Sequence, residues 1–180
     1  AADLQGRNYA NGFLHGVRLT CGPCEVWSVE IEEYADLAEG VDAVRRLRQV
    51  DADTLFASSG AAGKAAIQAA AEAGMAVIGA GHDYYSNPFT GGDATGAELL
   101  LGSAIYRPDV MLEAILDDLV TGAMPSGPTD FSFSSGTLDV MIPESSPLSQ
   151  AARDITRDVI LRLSSGELST GINPLTGDEE

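Results

Sequence analysis

Two cysteines have the spacing of a redox site. Cys21 and Cys24 enclose Gly-Pro, which is the C-x-x-C arrangement of thioredoxin-like proteins. In such sites the first cysteine begins a helix, whose dipole stabilises the reactive thiolate. Here the pair follows a predicted helix and precedes a predicted strand, so we favour a structural disulfide, which implies an oxidising compartment. A redox site and two reduced thiols are the alternatives.

Small polar residues begin the alanine-rich stretch in the middle of the chain. Gly60–Lys64 (GAAGK) resembles part of a phosphate loop, but Ser58 stands where that pattern needs glycine. Ala65 stands where it needs a hydroxyl, so we predict no nucleoside triphosphate site. The backbone N–H groups of Ser58, Ser59 and Gly60 and the two hydroxyls would suit a polar ligand at a helix start. A turn that only connects two elements is the alternative.

A second polar cluster, His82-Asp83-Tyr84-Tyr85, follows the next apolar run. Metal binding needs three or four convergent ligands, and the other histidine, His15, lies on the first predicted helix. No serine or cysteine has the surroundings of a catalytic nucleophile. We therefore expect no metal, no cofactor and no catalysis here, and we predict ligand contact through Asp83 and the two tyrosines, Tyr84 and Tyr85. Surface loop residues are the alternative.

The elements that must position these residues form one βαβ unit. Thr54–Gly79 (TLFASSGAAGKAAIQAAAEAGMAVIG) predicts a strand, a tight turn, a helix and a second strand. The two strands must be parallel, and open α/β sheets bind ligands beyond the carboxyl ends of their strands. Ser58–Gly60 and the loop after Gly79 should therefore lie side by side. Tyr34, after the predicted strand Glu25–Ile31, could stack on a ligand ring.

Strands and helices alternate along the whole chain, which predicts an α/β protein with a mostly parallel sheet and flanking helices. The first predicted helix has no strand before it. The last carries an apolar stripe (Ile155, Val159 and Leu163) with no evident partner. Both facts lead us to expect that the chain is part of something larger. We also expect Trp27 in the core and Thr176–Glu180 to be a frayed tail.

Composition excludes several partners. The formal net charge is −17, and Lys64 is the only lysine beside nine arginines, so nothing could neutralise nucleic-acid phosphates. No apolar run approaches the roughly 20 residues of a membrane-spanning helix. With 44% hydrophobic but only 6% aromatic residues, the chain is typical of a soluble α/β protein with a core of small aliphatic side chains.

Several segments in one order carry a family likeness. They are Asn11-Gly12-Phe13 with Gly16-Val17, Asp36–Gly40, ADTLFASSGAAGKAAIQAAAEAGMAVIGAGHD, SAIYRPDVMLEAILDDLVTG and SSGEL. In this order they resemble the basic membrane lipoprotein family, the substrate-binding proteins of nucleoside-type ABC importers. The resemblance implies a type I periplasmic-binding fold of two lobes. Residues 1–122 would be the carboxy-terminal, ligand-binding lobe, and residues 123–180 a crossover strand and return helix that pack on a missing amino-terminal lobe.

The resemblance also implies a set of ligand-binding residues. Its small-residue turn matches Ser58, Ser59 and Gly60, and its aromatic before an Asp-containing helix start matches Tyr34. Beyond the next strand, Gly81 replaces an acid expected to hold ribose hydroxyls. The full implied set is Tyr34, Ser58, Ser59, Gly60, Asp83, Tyr84 and Tyr106, where Tyr84 replaces a glutamine and Tyr106 a lysine. The extra aromatic rings would suit a flat ligand.

By this resemblance the protein would be a solute-binding protein rather than an enzyme. It would be extracellular or periplasmic and lipid-anchored, and it would capture a small polar, nucleoside-like ligand and pass it to the membrane permease of an ABC importer. Closure of two lobes on the ligand would be the mechanism. The alternatives are a thiol–disulfide oxidoreductase acting through Cys21 and Cys24, and an intracellular ligand-sensing regulator with the same fold.

Overall fold

The computed structural model describes residues 4–58, 60–123 and 132–179. Helices and strands alternate through most of this part of the chain. The helices are α1 (Leu4–Thr20), α2 (Leu37–Arg48), α3 (Gly60–Glu72), α4 (Pro108–Thr121) and α5 (Gln150–Ser165). The strands are β1 (Thr54–Ala57), β2 (Ala76–Gly81), β3 (Leu100–Tyr106) and β4 (Leu138–Met141), and short 3-10 turns lie at Thr90–Gly92 and Ala97–Leu99.

The strands form one sheet in the order β1-β2-β3-β4. The first three strands are parallel, with Ala57 beside Gly79 and Gly81 beside Ile105. The last strand, β4, runs antiparallel to β3. The prediction of an α/β fold with a mostly parallel sheet and flanking helices is confirmed. The segment that we expected to supply a crossover strand thus contributes β4 to this same sheet.

The close packing of α2 on α3 depends on a cap and a glycine. Asp36 caps α2, because its carboxylate accepts hydrogen bonds from the backbone N–H groups of Ala38 and Glu39. One turn later, a Cβ atom on Gly40 would overlap with the carbonyl group of Ala62 on α3. Glycine at this position therefore lets the two helix backbones approach each other.

The core lies between these two helices and one face of the sheet. Ile67 of α3, Val77 of β2 and Leu100 of β3 are fully buried there, and Phe89 from the loop after β2 joins them. Small alanine side chains on α3 complete the contact, in agreement with the composition.

Helices α1, α4 and α5 are packed much less tightly. None of their described residues is buried. Leucines on the outer face of α4 are half exposed or more, and on α5 the side chains of Ile155 and Leu161 are 58% and 62% exposed. Of the apolar stripe predicted on the last helix, Ile155 is therefore exposed, whereas Val159 and Leu163 are partly buried.

Two expectations from the sequence are wrong. Glu25–Ile31 belongs to no strand in the described residues, and Trp27 is 57% exposed rather than in the core. An alternating pattern does not make a strand by itself, because a strand also needs packing and hydrogen bonds from a neighbour. Of this segment only Val29 packs against the core.

The C-terminal segment is also ordered where we expected fraying. Ile172 and Gly177 are buried, and Ile172 forms a β-bridge with Glu179. Glu180 lies outside the described residues. The prediction of a frayed tail is therefore wrong for residues 176–179. The expectation that residues 123–180 pack on another lobe stays a prediction.

Candidate functional site

The carboxyl ends of β1, β2 and β3 meet at one edge of the sheet. Ser58 follows β1, and Gly60 begins α3 beside it. The loop that starts at His82 follows β2, and Tyr106 is the last residue of β3. The fold thus places the predicted turn, the predicted loop and Tyr106 along the same edge. Ser59 lies outside the described residues.

Tyr34 lies beside the start of α3. Its backbone carbonyl accepts a hydrogen bond from the N–H of Ala62 at 2.9 Å. Gly60 has φ +56°, and a Cβ atom there would lie 3.4 Å from the same Tyr34 oxygen. The Tyr34 side chain is 38% exposed. Although far apart in sequence, Tyr34 and Gly60 therefore form one corner of the edge.

Asp83 shapes the loop after β2. One carboxylate oxygen accepts hydrogen bonds from the N–H groups of Tyr85 (2.9 Å) and Ser86 (3.3 Å), and the other accepts from the Ser86 hydroxyl. These bonds make an Asx turn, a common use of aspartate in loops. Both carboxylate oxygens of Asp83 therefore already accept hydrogen bonds within the loop. Contact between Asp83 and a ligand stays a prediction.

Tyr84 is a packing residue in this structure. Its side chain is 2% exposed and lies under Gly79, where a Cβ atom would overlap with the tyrosine ring. Its N–H donates to the Ser103 hydroxyl at 3.2 Å. Burial also raises the pKa of the Tyr84 phenol. The geometry thus gives no support to the expectation that Tyr84 contacts a ligand.

Lys64 and His82 both lie at this edge, close enough for the lysine charge to act on the imidazole. The His82 ring stacks on the Tyr84 ring, with centroids 4.3 Å apart, and Lys64 Nζ donates to Asn87 Oδ1 at 2.5 Å. Burial, and then the Lys64 charge, lower the pKa of His82. Sequence reasoning did not place Lys64 at this edge. The signal that could have found it is that Lys64 is the sole lysine and lies in the second turn of α3.

Four aromatic rings line the face of the sheet under α1. Tyr9 of α1 lies 5.9 Å from Phe56 and 6.2 Å from Tyr106, measured between centroids. Phe13, one turn further along α1, stacks on Phe56 at 5.0 Å. We call Tyr9, Phe13, Phe56 and Tyr106 the aromatic wall. Sequence reasoning predicted Tyr106 at the site but missed Tyr9, although its helical spacing from Phe13 was visible.

Next to Tyr106, Arg107 forms an ion pair with Asp109. Its guanidinium donates to Asp109, with Nη2 to Oδ2 at 2.8 Å and Nε to Oδ1 at 3.1 Å. This hydrogen-bonded pairing lowers the pKa of Asp109 and raises that of Arg107. The Arg107 charge is therefore balanced locally, whereas Lys64 bonds to a neutral amide.

Cys21 and Cys24 are joined by a disulfide, with Cα atoms 5.4 Å apart. The pair directly follows α1, and the Cys24 N–H donates to the Cys21 carbonyl at 3.2 Å in a tight turn. This is the negative end of the helix dipole, which does not stabilise a thiolate. Nothing in this geometry favours redox catalysis.

Two further absences concern only the described residues. No group of three or more His, Cys, Asp or Glu side chains is arranged to hold a metal ion there. Among the helices described above, none combines the length and the apolar character that crossing a bilayer requires.

Three solved structures share the fold. A solute-binding protein of an ABC transporter system from Conexibacter woesei is 16% identical, with a TM-score of 0.68 over 91% of this chain and 52% of that one. Another, from Aeropyrum pernix, is 14% identical, with a TM-score of 0.64 over 92% and 53%. A transcriptional activator of the comK gene from Bacillus halodurans is 17% identical, with a TM-score of 0.66 over 77% and 46%. At these identities the likeness shows the fold alone.

The chain spans about half the length of these three structures. No curated protein sequence matches it. The family of PnrA-like ABC transporter substrate-binding proteins (Bmp) does match, over residues 6–142, which confirms the resemblance seen in the sequence. The match includes β1–β4 and the whole carboxyl edge. The chain therefore belongs to the PnrA-like family of ABC transporter substrate-binding proteins.

Proposed function

We propose that this chain is the ligand-binding carboxy-terminal lobe of a two-lobed protein that captures a small polar molecule and delivers it to the permease of an ABC importer. The observation that carries the proposal is the convergence of Tyr34, Ser58, Gly60 and Tyr106 at the carboxyl edge of three parallel strands. The family match supports the binding role. The greater length of the structural neighbours supports a second lobe.

In this proposal the edge is half of a site that closes. A ligand that contacts both lobes binds the closed state better and shifts the population towards it. Exposed apolar side chains of α5, such as Ile155, would be covered by the amino-terminal lobe. The lobe described here would then supply the backbone turn at Gly60 and the ring of Tyr106.

The edge favours a ligand with a planar part. The aromatic wall ends at Tyr106, and Gly81 has φ +94° with open space where a side chain would stand. A flat ring can stack on the tyrosine, and Lys64 can donate to an acceptor on the ligand. A nucleoside-like molecule has both features, so we propose that class, with sugar contacts that differ from those implied by the family pattern.

The same proposal places the protein outside the cell membrane. Permeases of importers receive ligand on that side, and the Cys21–Cys24 disulfide is typical of an oxidising compartment. Export and a lipid anchor belong to the proposal as well, and labelling of the intact cell surface would test them.

Calorimetry on the two-lobed protein tests the site. We expect Tyr106→Ala to weaken binding of inosine or uridine about tenfold or more, which is about 1.4 kcal/mol. Tyr106→Phe should retain most of the affinity, because the ring is kept. Leu112→Ala is the control, since that side chain is 57% exposed on α4 and is not part of the aromatic wall. Unchanged affinity in Tyr106→Ala would remove Tyr106 from the site.

A further inference from the structure

The C-terminal residues Ile172–Glu179, which we call the strap, form a compact loop. Asn173 organises it, because its side-chain oxygen accepts from the N–H of Leu175 at 2.9 Å and its carbonyl accepts from the N–H of Gly177 at 2.8 Å. The Asn173 N–H donates to the Asp178 carbonyl at 2.9 Å. The strap is therefore a folded element with its own hydrogen bonds.

One face of α1 holds the strap along most of its length. Asn11 Nδ2 donates to the Gly177 carbonyl at 2.6 Å, and Arg18 Nη1 bonds Glu179 Oε1 at 2.7 Å. Asn8 Nδ2 donates to the carbonyl of Pro174 at 3.3 Å. These α1 residues recur at spacings of three and seven, so they lie on a single helix face.

The opposite face of α1 carries part of the aromatic wall. Tyr9 and Phe13 contact Phe56 of β1, and Tyr9 also contacts Tyr106. Helix α1 is thus held between the strap and the sheet. Because no described residue of α1 is buried, contacts on both faces must hold the helix in place.

We propose that Asn11 and the strap are positioning elements for the ligand site. By clamping α1 onto the sheet, they keep the ring of Tyr9 against Tyr106 and so fix the end of the aromatic wall at the carboxyl edge. This inference rests on the proposed function for its effect on ligand binding. Its structural part, the coupling of the strap to Tyr106, does not need a ligand.

Helix α5 is connected to the site by two routes, one through Ser146 to β3 and one through the strap to α1. Arg153 at the start of α5 bonds the carbonyls of Pro143 and Ser146, and the Ser146 hydroxyl bonds the Leu101 carbonyl of β3. At its other end, α5 leads through Gly166 into the strap. A movement of α5 on lobe closure would therefore reach α1 through the strap and β3 through Ser146.

Gly177→Ala is the variant that tests the coupling. Gly177 has φ +76°, and a Cβ atom there would lie 2.9 Å from Arg7 Cβ and 3.0 Å from Asn8 Oδ1, so alanine should push the strap off α1. Gly122→Ala is the matched control, because Gly122 has φ +74° with nothing within 4 Å of the new atom. Both variants carry similar backbone strain, but only the first disturbs the strap.

The first measurement uses the 180-residue chain labelled with fluorotyrosine, with the Tyr106 signal assigned through Tyr106→Phe. We expect Gly177→Ala to speed hydrogen exchange in residues 172–179 and to shift the fluorine resonance of Tyr106. Gly122→Ala should do neither. If Gly177→Ala does not fold, Asn11→Asp replaces it, since a carboxylate cannot donate to the Gly177 carbonyl. A released strap with an unmoved Tyr106 signal overturns the proposal.

The second measurement uses the two-lobed protein and inosine. Gly177→Ala should weaken binding about fivefold or more, mainly through faster dissociation, and Gly122→Ala should not. If the wild-type protein binds inosine and Gly177→Ala binds it with the same association and dissociation rates, the positioning role is contradicted but the proposed function is not. Absence of binding by wild-type protein would instead contradict the proposed nucleoside specificity and leave the fluorine result to decide the coupling.

Discussion

The two faces of the sheet are covered very differently. On one face, α2 and α3 enclose a core in which Ile67, Val77 and Leu100 are fully buried. On the other, α1 makes ring contacts with Phe56 and Tyr106, but none of its described residues is buried. Helices α4 and α5 also have no buried described residue, and several of their side chains, such as Leu112 and Ile155, are more than half exposed.

This contrast distinguishes the side of the sheet whose apolar residues are buried within this chain from the elements whose apolar residues stay exposed. Monomeric proteins rarely expose large continuous apolar surfaces, and such surfaces commonly mark contacts with another protein surface. The α2–α3 side is complete in itself. The aromatic wall lies under α1, the strap joins α1 to the segment that follows α5, and Ile155 of α5 is exposed. A ligand and a second lobe are proposed to contact these elements.

The largest effect should come from a matched pair of isoleucines. Ile67→Ala removes a fully buried side chain and should destabilise the 180-residue chain by about 2–5 kcal/mol. Ile155→Ala removes a side chain that is 58% exposed and should change stability by less than about 0.5 kcal/mol. Chemical denaturation measures both. Equal losses would mean that the two sides are packed alike, against the structure.

A pair of helix glycines should sharpen the same contrast, with opposite signs. Gly40→Ala must push its methyl group into the Ala62 carbonyl and should cost about 1–3 kcal/mol. Gly12→Ala on α1 meets nothing within 4 Å and should stabilise the chain by about 0.5–1 kcal/mol through helix propensity. Thermal and denaturant unfolding of both variants would test this. Stabilisation by Gly40→Ala would show that α2 and α3 are further apart than described.

The smallest effect concerns His82 at the site edge. Burial and the Lys64 charge lower its pKa below 6.5, while Asp83 and the Asn87 backbone act in the other direction. Because the folded pKa is lowered, the associated stability is present above pH 6.5 and is lost as pH falls through the folded value. An NMR titration should place the His82 midpoint below 6.5, and Lys64→Met should raise it. If Lys64→Met leaves the midpoint unchanged, the two side chains do not interact, in contradiction to the structure.

The sequence predicted the βαβ unit and the α/β class because the patterns of Thr54–Gly79 are local. It also predicted that Ser58 and Gly60 follow a strand at the ligand-binding edge of the sheet, and the family resemblance added Tyr106 to that site. It could not predict that Asp83 bonds within its own loop or that Tyr84 is buried under Gly79, since both depend on how the loop folds back. The strap was missed for the same reason, because its partners on α1 lie more than 160 residues away in sequence.

One measurement tests most directly the claim that this chain holds half of a closing site. The small molecule that the two-lobed protein releases on denaturation is identified by mass spectrometry and titrated by calorimetry into that protein and into the 180-residue chain. We expect the two-lobed protein to bind at least about a hundredfold more tightly, about 2.7 kcal/mol, because both lobes contribute contacts. Equal affinity for the two would contradict the account, since this lobe would then contain the whole site.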